Sequence, residues 1–260
     1  MMVEQSVSAD YGLIGYPLSH SQSKSFFSRL FDETGSDESY GNFAMPVLSE
    51  SSLNEVLAKN PRLKGFNVTA PHKIAIMSYL DRISAEAERI GAVNTVKIYR
   101  AEDGHIVSLE GHNTDVEGFY ESVRPLVEFL ACKGALILGT GGASKAVAEA
   151  LRRLDIVALF VSRSKVAESV ITYDDITADV LKDYPLIINA TPLGTYPDIS
   201  GYPPFPYELL TEHNLCHDLV YNPSETEFMR RSAAYGAVVK NGLDMLYRQA
   251  IASLKIWKAQ

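Results

Sequence analysis

Ala135-Leu136-Ile137-Leu138-Gly139-Thr140-Gly141-Gly142-Ala143-Ser144 decides the fold of this chain. The apolar run Ala135–Leu138 forms a short buried strand, the glycines form a tight turn, and Lys145–Leu154 continues as an amphipathic helix. A strand that feeds a helix through a glycine-rich turn is the setting in which such a turn binds a dinucleotide phosphate. Gly139 permits the tight turn, and Gly141 and Gly142 let a pyrophosphate approach the backbone. The helix N-terminus supplies N–H donors and positive potential. Ser144 stands where the usual fingerprint has a third glycine, so a plain tight turn between strand and helix is the competing reading.

Outward from this turn, short apolar runs alternate with longer amphipathic ones. Ile156–Val161, Leu186–Asn189, Leu215–Val220 and Ala237–Lys240 read as strands, and Glu227–Tyr235 as a helix. The alternation predicts a parallel sheet with helices on its faces. The end of the second strand addresses the choice of dinucleotide. An NAD site usually presents an acid there for the ribose hydroxyls. Here the strand ends in Val161-Ser162-Arg163-Ser164-Lys165, without a carboxylate. A guanidinium at that position can pair bidentately with a phosphate, which favours NADP. A surface arginine at a strand end is the alternative.

The N-terminal half reads as a second α/β unit. Tyr11–Gly15, Phe43–Val47 and Leu63–Val68 are expected strands, and Ser25–Phe31 and Ser51–Lys59 expected helices, the first with Phe26, Phe27, Leu30 and Phe31 on one face. Ile74–Leu80 and Ala85–Ile90 read as short helices. Val93–Arg100 and Ile106–Leu109 read as a hairpin around Asp103-Gly104, and Asp115–Leu130 as a longer helix. Within this unit, Asn67-Val68-Thr69-Ala70-Pro71-His72-Lys73 reads as a strand end, a break and a helix start. Pro71 fits a first helical turn, where a missing N–H costs nothing. Lys73 then falls in that turn, near a positive helix end that disfavours its charged form, and a lysine so placed suggests chemistry. A solvated surface lysine is the alternative. Leu243–Trp257 forms an amphipathic helix with Leu243, Leu246, Tyr247, Ala250, Ile251, Leu254 and Trp257 on one face. It follows Asn241-Gly242, a turn that could return the chain to the first unit. The expected fold class is α/β in two domains, with the cleft between them as the default ligand site.

With these residues in view, the chain resembles the shikimate dehydrogenase family, whose members use NADP in aromatic amino-acid and chorismate biosynthesis. The motifs run in the family's order over nearly the whole chain. They are Gly15-Tyr16-Pro17-Leu18-Ser19-His20-Ser21-Gln22-Ser23, Asn67-Val68-Thr69 with Pro71 and Lys73, Gly91-Ala92-Val93-Asn94-Thr95, Gly111-His112-Asn113-Thr114-Asp115 and the Gly139–Ser144 turn. Asn189-Ala190-Thr191-Pro192, Asp218-Leu219-Val220-Tyr221, and Asn241-Gly242 followed by Gln249-Ala250 complete the series. Any one is weak; together and in order they are specific.

The resemblance implies a substrate domain over 1–113 and 242–260 and a Rossmann-type NADP domain over 114–241. It implies that Ser21 and Ser23 hydrogen-bond a shikimate carboxylate, although Ser23 alone could equally be a helix N-cap. Thr69, Asn94 and Gln249 would bind ring hydroxyls, with Asn67 in support, Tyr221 beside the substrate and Asp115 also in its site. The catalytic lysine falls on Lys73 and its partner carboxylate on Asp115. Gly139, Thr140, Gly141, Gly142 and Ala143 would hold the pyrophosphate, and Ser162, Arg163, Ser164 and Lys165 the adenosine 2′-phosphate. Leu219, Gly242 and Met245 would line the nicotinamide. The implied reaction is reversible NADPH-dependent reduction of 3-dehydroshikimate to shikimate. Lys24 stands where the family usually has proline. Ala167 stands where it often has a second basic residue, which Lys165 could replace. The segment between Ser164 and Val170 is too short for a full crossover helix. Rival readings are a quinate/shikimate dehydrogenase using NAD, opposed by Arg163, and a non-catalytic NADP- or shikimate-binding sensor, opposed by the retention of both Lys73 and Asp115.

Composition narrows the classes further. At 46% hydrophobic and 22% charged the chain is globular, and a net charge of −8 without a basic run argues against nucleic acid. The lack of a long apolar run excludes a membrane-spanning helix, and the polar Met1–Asp10 lacks a signal core. A cytoplasmic location is expected, with Cys132 and Cys216 as reduced thiols. His20, His72 and His112 show no metal-ligand spacing, so no metal is expected. The oligomeric state is left open, a homodimer included.

Overall fold

A computed structural model describes residues 9–19, 21–164, 167 and 169–259. The expectations placed on His20 and Lys165 lie outside the described residues. Contacts divide the chain into two units, Met1–Thr114 with Ala250–Gln260, and Asp115–Gln249.

The first unit runs β1 (Tyr11–Gly15), α1 (Ser23–Thr34), β2 (Tyr40–Ala44), α2 (Glu50–Lys59), β3 (Gly65–Val68), a 3-10 turn (Ala75–Tyr79), β4 (Arg82–Ile83), α3 (Ala85–Ile90), β5 (Thr95–Arg100) and β6 (Ile106–His112). Its sheet has the order β2-β1-β3-β5-β6-β4. β1 pairs in parallel with both β2 and β3, and β5 is antiparallel to β3 and β6. Every residue of β1 is buried, because helices cover both faces of the sheet's parallel part. Ile14, Phe66 and Val68 pack with Leu53, Leu57 and Ile76 on one side. Tyr11 and Leu13 pack with Phe27, Phe31 and Trp257 on the other. Trp257 stacks on Tyr11 with ring centroids 4.7 Å apart and donates from Nε1 to the Val96 carbonyl at 2.9 Å.

The second unit runs α4 (Asp115–Leu130), β7 (Gly134–Leu138), α5 (Gly142–Arg153), β8 (Val157–Ser162), β9 (Val170–Thr172), α6 (Ala178–Asp183), β10 (Leu186–Asn189), β11 (Leu215–Asp218), α7 (Glu227–Ala234), β12 (Val238–Lys240) and the start of α8 (Leu243–Lys258), whose residues from Ala250 onward belong to the first unit. All its strand pairs are parallel, in the order β12-β11-β10-β7-β8-β9. Read from the other edge this is the doubly wound 3-2-1-4-5-6 arrangement. Its strand order reverses between β7 and β10, where such sheets take ligands. Among the described residues no helix is long and apolar enough to cross a membrane. Cys132 and Cys216 are free and buried.

The structure corrects several expectations. The second strand is Tyr40–Ala44 rather than Phe43–Val47. It follows β1 in register from Tyr11 opposite Tyr40 to Gly15 opposite Ala44, and Pro46, lacking an N–H, cannot extend that ladder. Lys73 is not in a first helical turn. The Ala70–Pro71 peptide is cis, the His72 N–H donates to the Thr69 carbonyl at 3.0 Å, and the chain makes a turn here. The following segment is a 3-10 turn, not the expected helix Ile74–Leu80. The N-cap of α1 is Gln22, not Ser23; Ser21 Oγ instead accepts the Ser23 N–H at 3.3 Å. In α8 the buried stripe is Met245, Gln249, Ala250, Ala252, Ser253 and Trp257. Leu246, Ile251 and Leu254 are only partly buried. The short elements β4, β9 and α6 were not expected, and β9 pairs with β8 although the intervening segment is too short for a crossover helix.

Candidate active site

The register of β1 and β3 assembles the first cluster. The Thr69 N–H donates to the Ile14 carbonyl and the Tyr16 N–H to the Ala70 carbonyl, so the Gly15–Ser23 loop lies beside the Asn67–Lys73 turn. A third segment joins them: the Val68 N–H donates to the Asn94 carbonyl at 2.8 Å, and the Val93 N–H to the Lys73 carbonyl at 2.8 Å. Thr69, Lys73 and Asn94 are thereby gathered at the C-terminal edge of one sheet. Lys73 and Thr69 are half-buried, and Asn94 is buried. His72 points the other way and is buried, its Nε2 donating to the Met45 carbonyl at 2.5 Å.

Beneath this edge lies a buried polar knot. The Tyr40 hydroxyl donates to Asn67 Oδ1 at 2.8 Å, and Asn67 Nδ2 faces the Asn94 carbonyl at 3.2 Å, Thr95 Oγ1 at 3.1 Å and Ser253 Oγ at 2.8 Å. A carbonyl can only accept, so Nδ2 must face it, which fixes the Asn67 amide. Burial raises the Tyr40 phenol well above its ordinary pKa, with the Ser23 hydroxyl against it working the other way, so it remains a neutral donor. Thr114 donates from its backbone N–H to Asn94 Oδ1 at 2.7 Å, and its hydroxyl meets those of Thr95 at 3.0 Å and Ser253 at 3.1 Å. Asp115 follows Thr114 directly and opens α4, a position favoured for an acid by the helix dipole. Tyr40, Thr95 and Ser253 were not among the expected site residues. A buried serine in an apolar stripe gives no periodic signal, though its spacing of four from Gln249 places both on one helix face.

The second cluster lies in the other unit, at the C-terminal end of β7. Gly139 sits at φ +107°, a conformation other residues rarely adopt, and its N–H donates to the Val161 carbonyl at 2.9 Å. α5 begins at Gly142 with Gly141 as N-cap and no side-chain cap, so its first N–H groups remain for an anion. A Cβ built on Gly141 meets nothing within 4 Å, which leaves the space a pyrophosphate requires. Thr140 and Gly141 are exposed; Gly142 and Ala143 are half-buried. Neighbouring β8 ends at Ser162, with Arg163 and Ser164 exposed beyond it and no acid among them. The residues present fit a phosphorylated dinucleotide.

The same edge carries the ends of β10 and β11. The Leu219 N–H donates to the Asn189 carbonyl at 3.0 Å, and the Gly242 N–H to the Val220 carbonyl at 3.0 Å. Gly242 is required by contact: a Cβ there would lie 2.1 Å from the Leu219 carbonyl oxygen. Leu219, Gly242 and, one turn into α8, Met245 therefore come together. Gln249 Nε2 donates to the Leu246 carbonyl at 3.0 Å, and α8 approaches α4 closely at Gly118. Tyr221 is half-buried, and burial raises its phenol pKa. Among the described residues no group of three or more His, Cys, Asp or Glu side chains could hold a metal.

A unit with a Rossmann-order sheet and an uncapped, glycine-led helix, in one chain with an α/β unit that concentrates amides, hydroxyls and a lysine at one sheet edge, defines a dinucleotide-dependent oxidoreductase. Comparison with known proteins gives the family. The model of the shikimate dehydrogenase substrate binding domain matches residues 13–96. A shikimate dehydrogenase (NADP+) of Caldanaerobacter subterraneus is 36% identical over 96% of this chain and 91% of its own length. The crystal structure of a Thermus thermophilus shikimate 5-dehydrogenase in complex with NADP(H) and shikimate is 32% identical, with a TM-score of 0.80 over 96% of this chain and 93% of that one. A quinate dehydrogenase from Corynebacterium glutamicum in complex with NAD is 26% identical, with a TM-score of 0.82 over 96% of this chain and 94% of that one. The chain belongs to the shikimate dehydrogenase family.

Proposed function

We propose that this chain catalyses the reversible reduction of 3-dehydroshikimate to shikimate with NADPH. The observation that carries the reading is the gathering of Thr69, Lys73 and Asn94 at one sheet edge by the β1–β3 register and by the hydrogen bonds to Asn94 and Lys73. NADPH, when bound, supplies the hydride. Ser21 and Ser23 hold the substrate carboxylate, and Thr69, Asn94 and Gln249 its ring hydroxyls. Asn67, locked by Tyr40, Thr95 and Ser253, keeps this edge rigid, and Tyr221 lies beside the ring. Lys73 Nζ stabilises the oxygen that becomes an alkoxide and donates its proton to it. Asp115 is the partner carboxylate of Lys73 in this reading.

For the cofactor, Gly139 to Ala143 present the open N–H groups of α5 to the pyrophosphate. Ser162, Arg163 and Ser164 receive the 2′-phosphate, with Lys165 as a further cation. Leu219, Gly242 and Met245 line the nicotinamide. Because the 2′-phosphate is the only difference between the two dinucleotides, Arg163 should carry the preference. The test is the initial rate of shikimate oxidation with NADP+ and NAD+, followed by reduced-nicotinamide absorbance, in the wild type and Arg163→Ala. The expected result is a wild-type preference for NADP+ that the variant erodes by about one to two orders of magnitude, mainly through cofactor KM. Equal wild-type values with both cofactors would refute the role of Arg163, and quinate turnover with NAD+ alone would favour the activity of the quinate dehydrogenase relative.

A further inference from the structure

One buried carboxylate holds together the ends of β10 and β11 and has no part in the chemistry above. Asp218 is fully buried. Its Oδ1 accepts from Asn189 Nδ2 at 3.0 Å and from the Val220 N–H at 3.0 Å, and its Oδ2 accepts from Thr226 Oγ1 at 2.5 Å. Asn189 Oδ1 in turn accepts from the Thr191 N–H at 3.1 Å and its hydroxyl at 2.6 Å. Thr226 is the N-cap of α7. Asp218 therefore ties the turn after β10, the segment after β11 and the start of α7 to one another. Leu219 lies inside this knot, and Gly242 packs directly on its backbone.

We propose that Asp218 is a positioning residue for the cofactor: its ionised carboxylate sets the Leu219–Tyr221 segment that lines the nicotinamide. This rests on the assignment of the NADP site to the second unit. The ionised form accepts from all three donors at once: a proton on Oδ1 would face two N–H donors, and one on Oδ2 would turn the Thr226 hydroxyl from donor to acceptor. Breaking one such charge-assisted bond in a buried site frees the segment to shift.

Burial pushes the Asp218 carboxyl up to about 6, against the hydrogen bonds from Thr226, Val220 and Asn189. The knot is intact above that pH and opens as pH falls through it. Burial pushes the Cys216 thiol up to about 12, and burial raises the Tyr207 phenol against the opposing charge of Arg231 on α7, so neither Cys216 nor Tyr207 ionises in this range. On β11 itself, burial and the Lys240 charge push His217 down to about 3, so it is neutral. His217 stacks on Phe119, with ring centroids 5.2 Å apart.

The test compares wild type, Asp218→Asn, Thr226→Val and Thr226→Ser. NADP+ KM and kcat are measured between pH 5 and 8, and folding is checked by thermal melting. The 2′-phosphate titrates near pH 6 in every protein, so the difference between profiles isolates Asp218. The expected result is a rise of about ten- to a hundredfold in NADP+ KM for Asp218→Asn at pH 7.5, the scale of an ångström-level misplacement. Its profile should also lose the steep decline below about pH 6 expected of the wild type. Thr226→Val should raise KM in the same direction, and Thr226→Ser should restore it. A folded Asp218→Asn protein with wild-type KM and an unchanged profile would overturn the proposal. If that variant shows no cooperative melt, Thr226→Val is judged by the same KM criterion. A wild-type protein inactive with NADP+ would instead overturn the assignment of the cofactor site.

Discussion

Replacing Gly242 by alanine should be costly in a specific way. The added Cβ would lie 2.1 Å from the Leu219 carbonyl oxygen, 2.6 Å from its carbonyl carbon and 3.1 Å from its Cα. Ordinary contact begins near 3.4 Å, so the first of these is short by more than 1 Å. All three atoms are backbone, so no rotamer change relieves the overlap. The Gly242 N–H also donates to the Val220 carbonyl, which ties the colliding segments together. Separating them must move the Leu219–Val220 backbone. Overpacking of this kind costs about 1–3 kcal/mol of stability. A displacement of about 1 Å at a substrate-positioning segment can cost on the order of a hundredfold in rate. The assay is thermal melting together with kcat and KM for NADP+ and shikimate. The expected result is a lower Tm with a larger loss in NADP+ kcat/KM than the stability loss alone would bring. A Gly242→Ala protein with wild-type Tm and kinetics would refute the packing argument. A lowered Tm with unchanged cofactor kinetics would refute the assignment of this segment to the nicotinamide.

Trp257→Ala removes a buried indole stacked on Tyr11 and leaves the Val96 carbonyl without its donor; it should cost about 3–5 kcal/mol, read as a drop in denaturation midpoint. Glu38 accepts from Lys258 Nζ at 2.7 Å, Lys64 Nζ at 2.9 Å and the Tyr11 hydroxyl at 3.0 Å. Burial opposes its charged form, but those bonds outweigh burial and hold its pKa down to about 2, so its contribution is complete above its unfolded value near 4.5 and is lost as pH falls from there towards 2. Glu38→Gln should therefore destabilise the protein at pH 7 by about 1–2 kcal/mol, a modest figure because both lysines are half-exposed, read as a lower Tm, and the gap to wild type should close as pH falls through that window. Ser21→Ala and Ser23→Ala should each raise shikimate KM, each losing a bond to a charged group worth roughly 1.5–3 kcal/mol; calorimetry showing unaltered binding in both would place the carboxylate elsewhere.

The parts of the fold legible in the sequence were those with a clean period and firm punctuation. β1, α3, α4 and β10 have the bounds their patterns predict, and a glycine turn joins β7 to a helix as expected, although α5 begins at Gly142 within that turn rather than at the expected Lys145 and ends at Arg153 rather than Leu154. Elements failed to read where the signal was short or tertiary. β9 has three residues, too few for a period, and the five-residue segment after Lys73 cannot distinguish a 3-10 turn from an α-helix. Pro71 is compatible with either a helix start or a turn; the local bond from the His72 N–H to the Thr69 carbonyl and the tertiary one from the Val93 N–H to the Lys73 carbonyl go with the turn. In α8 hydrophobicity pointed to the leucines, whereas hydrogen bonding lets Gln249 and Ser253 occupy buried positions. The first cluster's motifs were visible, but the β1–β3 register that brings them together is a long-range pairing. Tyr40 was silent, and Asp218 was visible in a motif but without a role, for the same reason: their roles depend on partners such as Asn67 and Thr226, which linear order does not connect to them.

The most direct test is the steady-state rate of NADP+-dependent shikimate oxidation by wild type and Lys73→Ala. The expected result is an active wild type and a variant whose kcat is lower by at least about a hundredfold, the scale of general acid–base catalysis, with a smaller change in shikimate KM. A Lys73→Ala protein that turns over shikimate with wild-type kcat would contradict it.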